Sequence, residues 1–341
     1  MHDFRSDTVT RPTPEMRQAM AEAEVGDDVL EVDPTVATLQ EEAAQLFGRE
    51  SALFVPSGSM GNQIAARLHA SAGEEVALGD GSHSFDWEMG ALAALSGLQA
   101  RPLPAPRGRI DVEAARVALR PAPAGHRPAC RLLIVENTHN FHGGAIVPLD
   151  HLQALRAVCR ERDAALHLDG ARLWNAAAAT GTPLPAYGAV ADSLMVCLSK
   201  GLCAPVGSLL IGDRSLIERA RHVRKLFGGG MRQVGVLAAP ARIALARMRG
   251  RLGDDHARAA RLAAGLARLP GVTLPLGPPD TNIVFAAFGG RAASDLVAAL
   301  ERRDVRAIAT GPSTIRFVTH HDVGDESVDV ALAALEGALA A

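Results

Sequence analysis

No uninterrupted apolar stretch of about 18 residues occurs in the sequence, so a membrane span is not expected. The opening residues, Met1-His2-Asp3-Phe4-Arg5-Ser6-Asp7, lack the apolar run of a secretory leader, and the expected location is the cytoplasm. Cys130, Cys159, Cys197 and Cys203 form no CxxC pair and read as the reduced thiols of that compartment. A charge excess is missing too. The 35 basic and 38 acidic side chains give a net charge of -3 with no basic stripe, so nucleic acid is not an expected partner. The sharpest shortage is lysine: 35 basic residues less two lysines leaves 33 arginines. Lys200 and Lys225 therefore ask for individual explanations.

What remains is ordinary globular composition, 48% hydrophobic and 21% charged, in a chain of 341 residues. That length suffices for two or three lobes sharing a large core. Thr13-Pro14-Glu15 signals a capped helix, and a second helix runs over 35–47 to stop at Gly48. Short apolar runs at 52–55, 75–78, 132–135, 165–168, 194–198 and 208–211 read as buried strands. Helix-length stretches such as 61–72 and 150–162 separate most of them. Strands without polar alternation, spaced by helices, predict a mostly parallel sheet covered on both faces. The last pair, joined by 199–207, need not follow that rule. Residues 233–269 look helical with a break near Gly253-Asp254, followed by a strand, a helix and a strand at 281–287, 292–302 and 315–318. The expected organisation is an arm over 1–14, a large domain over 15–249 and a small α+β domain over 250–341. The stretch 101–131 is the loosest.

Open parallel sheets bind ligands beyond the carboxyl ends of their strands. Here those ends carry Ser57-Gly58-Ser59, Glu136-Asn137-Thr138-His139-Asn140, Asp169-Gly170-Ala171-Arg172 and Ser199-Lys200-Gly201. Ser57-Gly58-Ser59 at a strand-to-helix turn offers backbone N–H groups to a phosphate, without being a Walker A loop or a GxGxxG fingerprint. A carboxylate closing an apolar strand is costly unless paired, which marks Asp169. Arginine cannot form an imine, so a retained lysine at a strand end points to amine nucleophilicity at Lys200. A phosphate cup, an aspartate and a lysine are what pyridoxal phosphate needs. His139 and His142 beside Glu136 make a poor metal site, being two histidines in one loop with no further cluster. No metal is expected.

These motifs, with Arg5-Ser6-Asp7-Thr8-Val9-Thr10, Lys200-Gly201-Leu202-Cys203-Ala204-Pro205, Gly228-Gly229-Gly230-Met231-Arg232-Gln233 and Ile315-Arg316-Phe317-Val318-Thr319-His320, resemble the low-specificity L-threonine aldolases nearly end to end. The resemblance implies an aminotransferase-like fold of type I and pyridoxal 5'-phosphate as cofactor. By it, Lys200 is the Schiff-base lysine, Asp169 the partner of the ring nitrogen, and Gly58 and Ser59 the phosphate cup. His83 stacks on the cofactor ring and His126 lies near the substrate hydroxyl; either acts as base directly or holds a water that does. Lys225 and Arg232 face the cofactor region, Arg232 across a subunit boundary, and Ser6, Arg172 and Arg316 take the substrate carboxylate, with Arg172 near the cofactor as well.

The implied reaction is retro-aldol cleavage of L-threonine or L-allo-threonine to glycine and an aldehyde, in a dimer of dimers with shared sites. A β-eliminating lyase or an aminotransferase using the same Lys200 and Asp169 is the rival. Three positions depart from the family pattern: Leu30 where tyrosine is usual, Glu31 where glycine is usual, and Asp86 beside His83. Loss of the tyrosine predicts a roomier, more apolar aldehyde site.

Overall fold

The computed structural model describes residues 1–340. The chain opens with β1 (His2–Asp3). It then lays down β2 (Ser51–Val55), β3 (Glu75–Gly79), β4 (Gln99–Leu103), β5 (Cys130–Glu136), β6 (Ala165–Gly170), β7 (Ser193–Cys197) and β8 (Ser208–Gly212). The last seven form one sheet in the order β2-β8-β7-β6-β5-β3-β4. Only β8 runs antiparallel to its neighbours β2 and β7; the other pairings are parallel. Every residue of β3, β7 and β8 is buried, as expected of strands sandwiched between helices. The class is the expected one, α/β with a mostly parallel sheet.

Helices begin where the sequence places caps. Thr13 accepts from the Met16 amide ahead of Pro14–Ala21, and Asp33 accepts from Thr35 and Val36 ahead of Pro34–Leu46. Gly48, at φ +61°, closes the latter. Two readings differ from the structure. Running into the loosest stretch is β4, an edge strand whose mixed burial hides its period and whose Pro102 needs no ladder partner on the open side. The long helical run is interrupted at Ala244–Met248 and Arg249–Arg251 rather than at Gly253-Asp254, which instead sits in the first turn of Leu252–Leu266.

A second sheet, β12 (Ile308–Ala309), β13 (Thr314–Val318), β10 (Ile283–Phe288) and β9 (Val272–Thr273), is antiparallel throughout. It packs with helices Leu252–Leu266, Ala293–Glu301 and Asp325–Ala340 around its own core, which includes Phe4, Leu262, Phe288, Phe317 and Leu335. The amino-terminal arm belongs to this core. β1 pairs with β11 (Val305–Arg306), and Phe4 exchanges backbone hydrogen bonds with Arg306 and Val318 at 2.8 Å each. That anchorage delivers Ser6 and Asp7 to the carboxyl edge of the large sheet.

Candidate active site

At the end of β2, Ser57 caps the helix Gly58–His69 by accepting from the Met60 amide at 3.2 Å. A Cβ on Gly58 would fall 2.9 Å from Cys197 Sγ and 3.0 Å from Met195 Cε, so only glycine lets the helix start press against β7. Ser59 follows, half-buried, in that first turn. Lys200 stands half-buried just beyond β7, its carbonyl held by Thr10 Oγ1 at 2.8 Å.

Asp169, at the end of β6, is buried. Its carboxylate accepts from Asn62 Nδ2 at 2.8 Å and from the Ala171 amide at 3.1 Å. Burial, then the neighbouring Glu136 carboxylate, pushes it up to about 6, against the opposing charges of His83 and Lys200. His83 opens a short helix after β3. Its Nδ1 meets Glu88 Oε1 at 3.0 Å, while its amide donates to Glu136 Oε2 at 2.7 Å. Burial works to lower the imidazole, but the Glu88 hydrogen bond and the Asp169, Glu88 and Glu136 carboxylates raise it above its ordinary value. Three buried carboxylates thus gather around His83 and Lys200, with the His139 imidazole 3.8 Å from Glu136. The concavity is short of positive charge.

A second constellation joins three parts of the chain. Arg172 donates through Nε and Nη2 to Asp7 at 2.8 and 2.7 Å, both side chains being buried. Arg316, from β13, reaches Asn140 Oδ1 at 3.3 Å and the Arg5 carbonyl at 3.1 Å, while its buried Nε has no partner. Burial, then repulsion from Arg172, draws Arg316 down to about 10. Ser6 Oγ accepts from Thr8 at 2.8 and 3.2 Å, leaving its own hydrogen free to donate. Two guanidiniums with one carboxylate between them suit a further anion. Phe141 lies under the Arg316 guanidinium, 6.0 Å from its centre, and stacks on Trp87 at 4.4 Å.

Several expected residues stand apart. His126 occupies an exposed turn leading into the amino end of β5, so one chain alone does not bring it to Lys200 at the carboxyl edge. Lys225 and Arg232 are exposed. Arg232 meets Asp27 at 3.0 Å, and Lys225 and Val29 flank Gly230. Their segment nevertheless abuts the cup helix, because a Cβ on Gly229 would fall 2.3 Å from Met60 Sδ. Leu30 is 79% exposed, and Glu31 and Asp86 also face outward. Asn62, Glu88, Asp7, Asn140, Trp87 and Phe141 were not singled out from the sequence; Asp7 and Asn62 lie one and four residues beyond positions that were.

The group His83, Glu88 and Asp169 brings ligand atoms within 4.8 Å of one another. Amide hydrogens of Asn62 and Gln63 already point at those carboxylates. A protonated ring nitrogen approaching Asp169 fits this surplus of negative charge. With the tight Gly58 turn for a phosphate and Lys200 at the neighbouring strand end, the residues suit pyridoxal phosphate.

The family described as beta-eliminating lyase matches residues 3–289. Low-specificity L-threonine aldolase 1 of Arabidopsis thaliana is 42% identical, the match covering 99% of this chain and 96% of that protein. The low specificity L-threonine aldolase of Escherichia coli K12 is 41% identical, with 96% of each covered. Among solved structures, a threonine aldolase of Leishmania major superposes with a TM-score of 0.86 at 23% identity, covering 100% of both chains. A serine palmitoyltransferase of Sphingomonas wittichii follows at 0.77 and 18%, covering 98% of this chain and 86% of that one. Matches of this extent, on a site with these strand-end residues, settle the kinship: the chain belongs to the beta-eliminating lyase family, within its low-specificity L-threonine aldolases.

Proposed function

We propose that the protein cleaves L-threonine, L-allo-threonine and related β-hydroxy-α-amino acids to glycine and an aldehyde. The observation that carries this reading is the convergence of Lys200, the Asp169–His83 carboxylate cluster and the Arg172–Arg316 pair on one sheet edge. Pyridoxal phosphate, when bound, supplies an aldehyde that condenses with amines and a ring that accepts the electron pair released at Cα.

Lys200 would hold the cofactor through its amine. Gly58, Ser59 and the first turn of Gly58–His69 would hold the phosphate. Asp169, ionised, would keep the ring nitrogen protonated. Arg316, with its unpartnered Nε, is the primary carboxylate binder, helped by Ser6. Arg172 keeps Nη1 for that purpose while Asp7 fixes its other edge. Cleavage breaks the Cα–Cβ bond as the hydroxyl proton departs and the C–O bond becomes a carbonyl; Cα then takes up a proton to give glycine. Glu88 on Nδ1 leaves His83 Nε2 to face the hydroxyl, and we favour a water held there as the immediate base.

The active unit is an assembly with shared sites, in which Lys225, Arg232 and His126 act on a neighbouring chain's cofactor and substrate. Their exposure in the single chain supports that assignment. No helix among the described residues is long and apolar enough to cross a membrane.

Incubating the protein with L-threonine, alcohol dehydrogenase and NADH tests the activity. Acetaldehyde should form with an equal amount of glycine, and Lys200→Ala should abolish both. Ammonia and 2-oxobutanoate in their place would make the protein a β-eliminating enzyme instead. Borohydride should attach the cofactor to Lys200, whereas a label on Lys225 would overturn the lysine assignment.

A further inference from the structure

Behind Asp169, away from the cleft, the sheet carries a run of polar side chains that the reaction does not touch. His167 and Asp169 alternate by two on β6 and so share a face. Asn62 and His69 lie two turns apart on the helix that covers that face, and Ser193 is the register partner of His167 on β7. The contacts are continuous. Asn62 Nδ2 meets Asp169 Oδ2 at 2.8 Å and Glu88 Oε1 at 2.9 Å. Asn62 Oδ1 meets His167 Nε2 at 3.1 Å, His167 Nδ1 meets Ser193 Oγ at 2.8 Å, and Ser193 Oγ meets His69 Nε2 at 2.9 Å.

The direction of every hydrogen follows from the carboxylates. With Asp169 ionised its oxygen only accepts, so the Asn62 amide must turn its hydrogens to Asp169 and Glu88 and its oxygen to His167. His167 then carries its hydrogen on Nε2. Burial, then the neighbouring His69, pushes His167 down to about 3, so the ring is neutral and its Nδ1 is a bare acceptor. Ser193 must donate to that nitrogen and accept from His69 Nε2. His69 is pushed down to about 4 by burial, with Arg219 and Arg156 opposing its charge and Asp192 favouring it.

We propose that His69, Ser193, His167 and Asn62 are positioning residues, a column of one-way hydrogen bonds that fixes the Asp169 carboxylate for the cofactor's ring nitrogen. This rests on the assignment of Asp169 made above. The column spans the sheet from its amino edge, where His69 and Ser193 sit, to its carboxyl edge. Its constraint is orientational: if His167 loses its hydrogen on Nε2, the Asn62 amide is free to flip, and a flipped amide presents oxygen to two carboxylates.

The test uses holoenzyme loaded with pyridoxal phosphate labelled with 15N in the ring, compared across wild type, Ser193→Ala, His167→Phe and His167→Gln. In wild type, long-range 1H–15N spectra should place hydrogen on Nε2 of both His167 and His69 at pH 7.5, where Asp169 is ionised, with both rings still neutral at pH 6. His167→Phe should move the ring-nitrogen signal toward the neutral pyridine value and lower kcat about 10-fold with KM little changed. His167→Gln, whose amide can still donate to Asn62, should restore most of both. Ser193→Ala should produce a smaller change of the same kind. Hydrogen on Nδ1 of His167, or a His167 that is charged at pH 6, overturns the column. So does an unshifted ring nitrogen in Ser193→Ala and in whichever His167 variant folds. Histidine tautomers can be read without cofactor, so a wild type that fails to bind pyridoxal phosphate would overturn the cofactor assignment and leave the column's geometry separately decided.

Discussion

Arg172 and Arg316 stand close enough to repel each other, yet their surroundings differ. Asp7 neutralises Arg172 through two hydrogen bonds, whereas Arg316 is buried with carbonyl-type partners and one empty donor. A buried cation without a counterion is expensive, and an arriving carboxylate relieves that cost at Arg316. Arg316→Ala should therefore raise KM about 10- to 150-fold, the equivalent of roughly 1.5–3 kcal/mol, with little effect on cofactor binding. Steady-state kinetics beside a cofactor titration would check this; loss of cofactor with KM unchanged would assign Arg316 to the cofactor. Asp169 was legible in the sequence because a carboxylate closing a buried strand is costly without a partner, and Lys200 because lysine is otherwise almost absent from the chain. The locking of Arg172 by Asp7 was not legible. The two lie 165 positions apart, and only the anchoring of the arm by Phe4 brings them together.

At the scale of elements, the buried strands declared themselves by lacking polar alternation. β4 did not, because an edge strand shows one face and one margin to water. Hydrophobic period placed helix Leu252–Leu266 but could not locate its start, since an irregular turn at Ala244–Met248 keeps the apolar face in step. The connection from β7 to β8 carries Lys200 and is shaped by its backbone. The Leu198 amide donates to the Gly207 carbonyl at 3.0 Å, and Gly207 has φ +106°. A Cβ there would fall 2.3 Å from Cζ of the buried Phe54. Gly207→Ala should cost about 2–4 kcal/mol of stability through overpacking and backbone strain. A lower urea midpoint and faster loss of cofactor on dialysis are the expected signs. An unchanged midpoint would show that Phe54 gives way freely.

The whole molecule presents an uneven surface. Val25, Val29, Leu30, Val32, Leu226 and Val236 are all exposed, in and around the segment that also carries Arg232 and Lys225. On the proposed assembly with shared sites, this face would meet a second copy, and Arg232 would complete a cofactor site whose Lys200 belongs to the neighbour. Complementation decides the matter. Lys200→Ala and Arg232→Ala proteins, each nearly inactive alone, are mixed as differently tagged chains, dissociated and reassembled. A working site needs Lys200 from one variant and Arg232 from the other. Random pairing makes that combination in roughly a quarter of sites, so about that fraction of wild-type activity should return. If each chain builds its site alone, every site inherits one lesion or the other. Activity would then stay at the parents' level, and Arg232 would have to act within its own chain or not at all. The unmixed parents separate a third case, in which Arg232 is dispensable: the Arg232→Ala protein would then turn over threonine by itself.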